Sequence, residues 1–123
     1  MTDQPGPDQG PVAVDAVDGW VVLSVRGEVD LALEPALAAA HDQVTAHDEP
    51  HLYVDLTGVD FLDSSGVAAL ACLQRHARER RGHFVLSSAG PMVQRVLELT
   101  GLAAAADDPD VAPERVRRPP PAP

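Results

Sequence analysis

The tightest constraint on this chain is the stretch Val59–Gly66, Val-Asp-Phe-Leu-Asp-Ser-Ser-Gly, wedged between two segments of different period. Before it, His51–Thr57 alternates Leu52, Val54 and Leu56. A period of two in a β-branched and aromatic setting predicts a buried strand. After it, Val67–Arg81 places Val67, Leu70, Leu73 and Ala77 at helical spacing, with no Gly or Pro inside. That spacing predicts a helix. A strand must therefore hand over to a helix at Asp63-Ser64-Ser65-Gly66. Such a junction carries unpaired backbone N–H groups and the positive end of the helix dipole. In open α/β sheets it is also where ligands and partners meet the fold. The four residues alone leave two readings open. Ser and Asp are ordinary helix caps, and Gly66 can simply let the backbone approach a neighbour closely.

The rest of the chain arranges itself around that junction. Met1–Gly10 lacks apolar periodicity and reads as a disordered arm. Val12, Val14 and Val17 start a strand, Asp18-Gly19 is a tight-hairpin signal, and Trp20–Arg26 returns antiparallel. Gly27–Asp30 ends that strand. Glu34-Pro35 opens a helix, since Pro is tolerated at the first helical position, with Leu37, Ala40 and Val44 facing inward. Asp48-Glu49-Pro50 stops it. The helix after the junction ends in Arg75, Arg78, Arg80 and Arg81, cations at the negative end of the dipole. Gly82 is the expected left-handed cap. His83–Ser87 reads as a strand and Pro91 opens a third helix with Val93, Val96 and Leu97 inward. Gly101 caps that helix, and Leu102 folds back on its last turn. Ala103–Ala106 reads as a poor edge strand and Pro113–Arg118 as one short helix. The order implies a mixed sheet of four or five strands, with right-handed crossovers placing the helices mainly on one face. The expected division is an arm over 1–10, an α/β domain over 11–108 and a Pro-rich tail over 109–123.

Composition narrows the function. The formal net charge is −10, and every basic side chain apart from histidine is Arg. That argues against nucleic acid and anionic membranes and allows a basic protein partner. No apolar run reaches the length of a membrane span, and the acidic, Pro/Gly-rich start does not resemble a signal peptide. The expected location is the cytoplasm. Cys72 is the lone cysteine, so no internal disulfide forms, and a small buried hydrophobe mid-helix is its expected role. A hydrolase reading of Ser64 lacks the Gly-x-Ser-x-Gly elbow, and His76 and His83 fall at the opposite pole. His41, His47 and His51 do not share a helical face, so no metal site is expected. No phosphate-binding Gly-rich loop is present. The chain is expected to need no cofactor and to be no enzyme.

Four stretches now carry a resemblance: Arg26-Gly27-Glu28-Val29-Asp30, then Val54-Asp55-Leu56 with Gly58-Val59, then Phe61–Val67, then Val93 through Leu97-Glu98-Leu99-Thr100-Gly101-Leu102. Together they resemble the STAS domain of bacterial anti-sigma factor antagonists, over roughly Val12 to Leu102. The resemblance implies a partner switch. The unmodified protein binds an anti-sigma factor that is also a serine kinase, and the sigma factor is freed. The kinase, using ATP and Mg²⁺, phosphorylates the first Ser after the Asp, here Ser64, and the complex parts. A metal-dependent serine phosphatase reverses the step. By the same resemblance Asp30, Asp63, Ser64, Ser65 and Gly66 form the partner-facing end. The alternative within this fold is a scaffold or regulatory subunit of a signalling complex or a lipid transporter. After Leu102 the chain departs from the pattern, its Ala-rich segment and closely spaced prolines replacing an apolar strand and a longer helix.

Overall fold

A computed structural model describes residues 11–117. The sheet has four strands, β1 (Val12–Val17), β2 (Trp20–Val29), β3 (His51–Leu62) and β4 (Phe84–Leu86), in that spatial order. β1 and β2 form the expected hairpin, and Asp18 and Gly19 both take positive φ, 51° and 85°, as the tight turn requires. β2–β3 and β3–β4 are parallel. Each parallel pair needs a crossover, supplied by α1 (Glu34–Ala46) and α2 (Ser64–Glu79). α3 (Pro91–Leu99) follows β4.

Alternation decides which residues meet the helices. Val21, Leu23 and Val25 of β2, Leu52, Val54 and Leu56 of β3, and Phe84 and Leu86 of β4 face one side. There they pack on Ala40 and Val44 of α1, Leu70, Leu73 and Ala77 of α2, and Val93 and Leu97 of α3. The intervening residues Trp20, Val22, Tyr53 and Val85 are buried on the other side. β3 runs past the expected Thr57 to Leu62, because two register shifts against β2 each take up one extra residue. Inward positions on β3 therefore go Leu56, Val59, Leu62. The alternation breaks at these bulges, and with it the strand signal in the sequence.

Three further expectations are corrected. Gly82 is not the left-handed residue at the end of α2: Arg81 is, with φ 59°. Gly82 is needed because any Cβ there would strike the Pro50 carbonyl. Gly101, by contrast, is left-handed as expected, with φ 84°. Ala103–Ala106 is no edge strand. Leu102–Ala105 forms a single-turn helix, α4, in keeping with alanine's helix preference, and Leu102 is buried on the core. The segment after Asp108 is not all a free tail. A 3₁₀ turn at Pro109–Val111 leads to α5 (Glu114–Arg117), whose Val116 is buried with Ala112 against Trp20, Val22, Tyr53 and Val85. Two apolar residues were enough to dock it, a pattern too sparse to read as periodicity. The expected arm over 1–10 and the stretch 118–123 lie outside the described residues.

The pole opposite the junction is closed by side chains. Asp107 Oδ2 accepts from Arg78 Nη1 at 2.9 Å and from the Phe84 amide at 2.9 Å. Burial pushes the Asp107 carboxyl up, but Arg78 and the Phe84 N–H more than offset this and hold it below the usual range. Arg78 also reaches the Ala105 carbonyl at 2.7 Å, and Arg80 the His47 carbonyl at 2.9 Å. Two of the cations at the end of α2 thus tie the ends of α4 and α1 to it. Beside them Trp20, His51 and His83 stack with ring centroids 5.0 to 6.0 Å apart.

Candidate partner-docking site

The site is built at the carboxyl end of the parallel strands, where β2 and β3 finish side by side. Val29 pairs with Leu62, and the Asp63 amide donates to the Val29 carbonyl at 3.1 Å. Asp30 and Asp63 therefore leave the sheet from adjacent strands. Each turns its chain into a helix in the same way. Asp30, extended, accepts from the Ala32 amide at 3.1 Å and caps the 3₁₀ turn Leu31–Leu33. Asp63, also extended, is the N-cap of α2.

Asp63 caps through a single oxygen. Its Oδ1 accepts from the Ser65 amide at 3.0 Å, the Gly66 amide at 3.2 Å and the Ser65 hydroxyl at 2.7 Å. The Ser65 hydroxyl contributes most, followed by the Gly66 amide, to holding the carboxyl below its usual range. Asp63 is a fixed negative charge. The Val67 amide closes the first helical turn on the Asp63 carbonyl at 3.0 Å.

The two serines part company here. Ser65 is half-buried and its hydroxyl proton is given to Asp63. Ser64 is exposed at the first position of the helix, and its hydroxyl has no hydrogen-bond partner among the described residues. Gly66 is buried. A Cβ on it would lie 2.5 Å from Leu62 Cδ1 and 2.7 Å from Val29 Cγ1. The first turn of α2 thus rests directly on the ends of β2 and β3, which fixes where Ser64 is held. Asp60 is exposed on β3, three residues or about 10 Å of strand short of the cap.

Several neighbours of this pole escape a reading of the sequence. Leu31 is 68% exposed and Phe61 43%, large apolar side chains flanking Asp30 and Asp63. Cys72 is exposed rather than buried, which corrects the expectation above. It lines a groove of about 400 Å³ between α1 and α2 that ends at Ser65 and Glu34. The signal for Cys72 was present. It stands about 200° around the helix from Leu70, away from the stripe that enters the core.

Comparison with known proteins agrees with this geometry. The family model described as "Mlab, STAS domain" matches residues 12–107. The anti-sigma-F factor antagonist RsfB of Mycobacterium tuberculosis is 35% identical over 99 residues, 78% of each chain. An anti-sigma factor antagonist of Mycobacterium paratuberculosis of known structure is 36% identical, with a TM-score of 0.73 over 91% of this chain and 97% of that one. SpoIIAA in its unphosphorylated form, 23% identical, shares the fold with a TM-score of 0.70 over 86% of this chain and 96% of its own. With its sheet order, its Asp-capped helix and these relatives, the chain belongs to the STAS-domain family of anti-sigma factor antagonists.

Proposed function

We propose that this chain works as a phosphorylation-switched antagonist, binding an anti-sigma factor that is also a serine kinase and releasing it when Ser64 is phosphorylated. The carrying observation is the difference between the two hydroxyls. Ser64 Oγ is exposed and unbonded, whereas Ser65 Oγ is held by Asp63. A kinase can take up the first and must break a hydrogen bond to reach the second. The name of the Mycobacterium tuberculosis relative gives the partner class, an anti-sigma factor. SpoIIAA, of the same fold, has been solved in unphosphorylated and phosphorylated forms.

The physical consequence of phosphorylation supports release. The Ser65 and Gly66 amides are already taken by Asp63, so a phosphate on Ser64 stays in solvent instead of folding into the helix end. It adds close to two negative charges beside the fixed charge of Asp63. Like charges set side by side repel more strongly once a partner excludes the water that screens them. The fold is spared and the docking surface is not. In this reading Asp30 and Asp63 position the kinase's basic groups and its Mg²⁺. A metal-dependent serine phosphatase restores the binding form, and the exchange takes place in the cytoplasm. No helix among the described residues is long and apolar enough to cross a membrane.

The test uses each kinase-type anti-sigma factor of the host, purified, with ATP and Mg²⁺. Mass spectrometry is run on the wild type, Ser64→Ala and Ser65→Ala. Phosphate is expected on Ser64 of the wild type and of Ser65→Ala, with none on Ser64→Ala, which still binds. Labelling at Ser65, or none by any host kinase, sinks the proposal.

A further inference from the structure

The groove between α1 and α2 is not accounted for by the switch at Ser64. Its floor is apolar, from Leu37, Ala69 and Cys72. One wall carries a repeating stripe on α1, Glu34, Ala38 and Asp42, each one turn from the next. Glu34, Ala38 and Asp42 are all exposed. The groove opens at Ser65, one residue from the proposed phosphoacceptor, so a partner covering Ser64 lies at its mouth. From Ser65 to Cys72 it follows about 10 Å of helix, the length of two turns.

We propose that this groove receives an amphipathic helix of the anti-sigma kinase, with apolar anchors on the floor and Arg or Lys side chains against Glu34 and Asp42. The inference rests on the switch reading for the identity of the partner and adds where, beyond Ser64, it docks. Charge selects the occupant. The groove carries two carboxylates on one wall and the fixed charge of Asp63 beyond its mouth, against His41 as the titratable base lining it. The chain as a whole carries −10. An acidic helix is repelled, a basic one steered in. Helix-in-groove recognition uses anchors spaced i, i+3 or i+4, and i+7, which two turns supply.

Two measurements test this with the host kinase as the probe. The first uses Ala38, exposed midway between Glu34 and Asp42, where substitution leaves the helix intact. Ala38→Arg pairs with both carboxylates and should weaken kinase binding about tenfold, while Ala38→Gln, of similar bulk, should weaken it by less than about threefold. Ala68→Arg, on the α2 wall, serves as a second variant, and circular dichroism checks that each folds. The second measurement uses Cys72, the lone thiol of the chain. Maleimide labelling of Cys72, read by mass, should slow about tenfold when the unmodified chain is kinase-bound and recover after Ser64 phosphorylation. Wild type that binds and is labelled on Ser64, with Ala38→Arg binding normally and Cys72 unprotected, overturns the groove and leaves the switch standing. Equal loss for Arg and Gln at position 38 overturns the basic occupant. Failure of the wild type to bind any host kinase overturns both readings.

Discussion

Ser64 and Gly66 are two residues apart and make opposite demands. Ser64 is exposed and its hydroxyl bonds to no described residue, so Ser64→Ala should change stability by less than about 0.5 kcal/mol, read as an unchanged unfolding midpoint in urea. Its effect should appear in phosphorylation alone. Gly66 has no room: the ends of Leu62 and Val29 occupy the place of a side chain. Gly66→Ala should therefore cost about 1–3 kcal/mol, the range for overpacking a filled core. A midpoint equal to wild type would mean the first turn of α2 can lift off the sheet at no cost. The sequence made the Asp-Ser-Ser-Gly junction legible, because capping chemistry is local and its residue types are few. It did not separate the two serines. Which hydroxyl Asp63 holds depends on the χ angles of a formed cap, and neighbouring letters do not encode them.

At the level of elements, strands and helices with strict periods were legible: the hairpin, α1, α2 and α3 lie where alternation or helical spacing puts them. What failed was short or interrupted. β3 outran its pattern at the bulges, and α4 and α5 are too brief to show a period. The ends of elements also carry the titration behaviour. His51, at the start of β3, accepts at Nδ1 from the His83 amide at 3.0 Å. Burial lowers its pKa, and the neighbouring His83 lowers it further. His76 on α2 is lowered by burial, then by Arg80 and His41. Both rings give up their proton more readily in the fold than free imidazole does. Their contribution is complete above the ordinary histidine value near 6.5 and is lost as pH falls through it toward the lowered folded value. The thermal midpoint should be flat above pH about 7 and fall below about 6.5. His51→Gln, which can accept but not charge, should flatten part of that fall. An identical pH profile in the variant would remove His51 from the account.

The whole molecule is a three-layer object on a small scale. Helices α1 to α4 cover one face of the sheet, and a single short segment, Pro109–Arg117, covers part of the other. A chain ending at Asp108 should expose Trp20, Val22, Tyr53 and Val85 and lose more than about 5 °C of thermal midpoint. Val116→Ala, which removes two methyl groups from a fully buried site, should cost about 1.5 kcal/mol. Trp20 is the lone tryptophan, so a red shift of its emission reports the uncovering directly. No shift on truncation would show that the segment does not cover it in solution.

The paired bulges of β3 carry a consequence of a different kind, one of parity. An extra residue would turn every later side chain to the wrong face unless a bulge absorbs it, and each bulge of β3 absorbs one and keeps the strand in phase with β2. Leu56, Val59 and Leu62 share a face although each is three residues from the next, because each interval holds one bulged residue. The stretch from Thr57 to Phe61 is thus a phase setting for all that follows, Asp63 and Ser64 included. Deleting one or two residues there should close one or both bulges and keep the cap and the acceptor serine in phase on a shorter strand, while deleting three removes one more than the bulges hold and should point them to the back of the sheet. Single and double deletions should then keep a measurable part of kinase binding where a triple deletion abolishes it. In that sense the position of Ser64 is counted out along β3 before α2 begins.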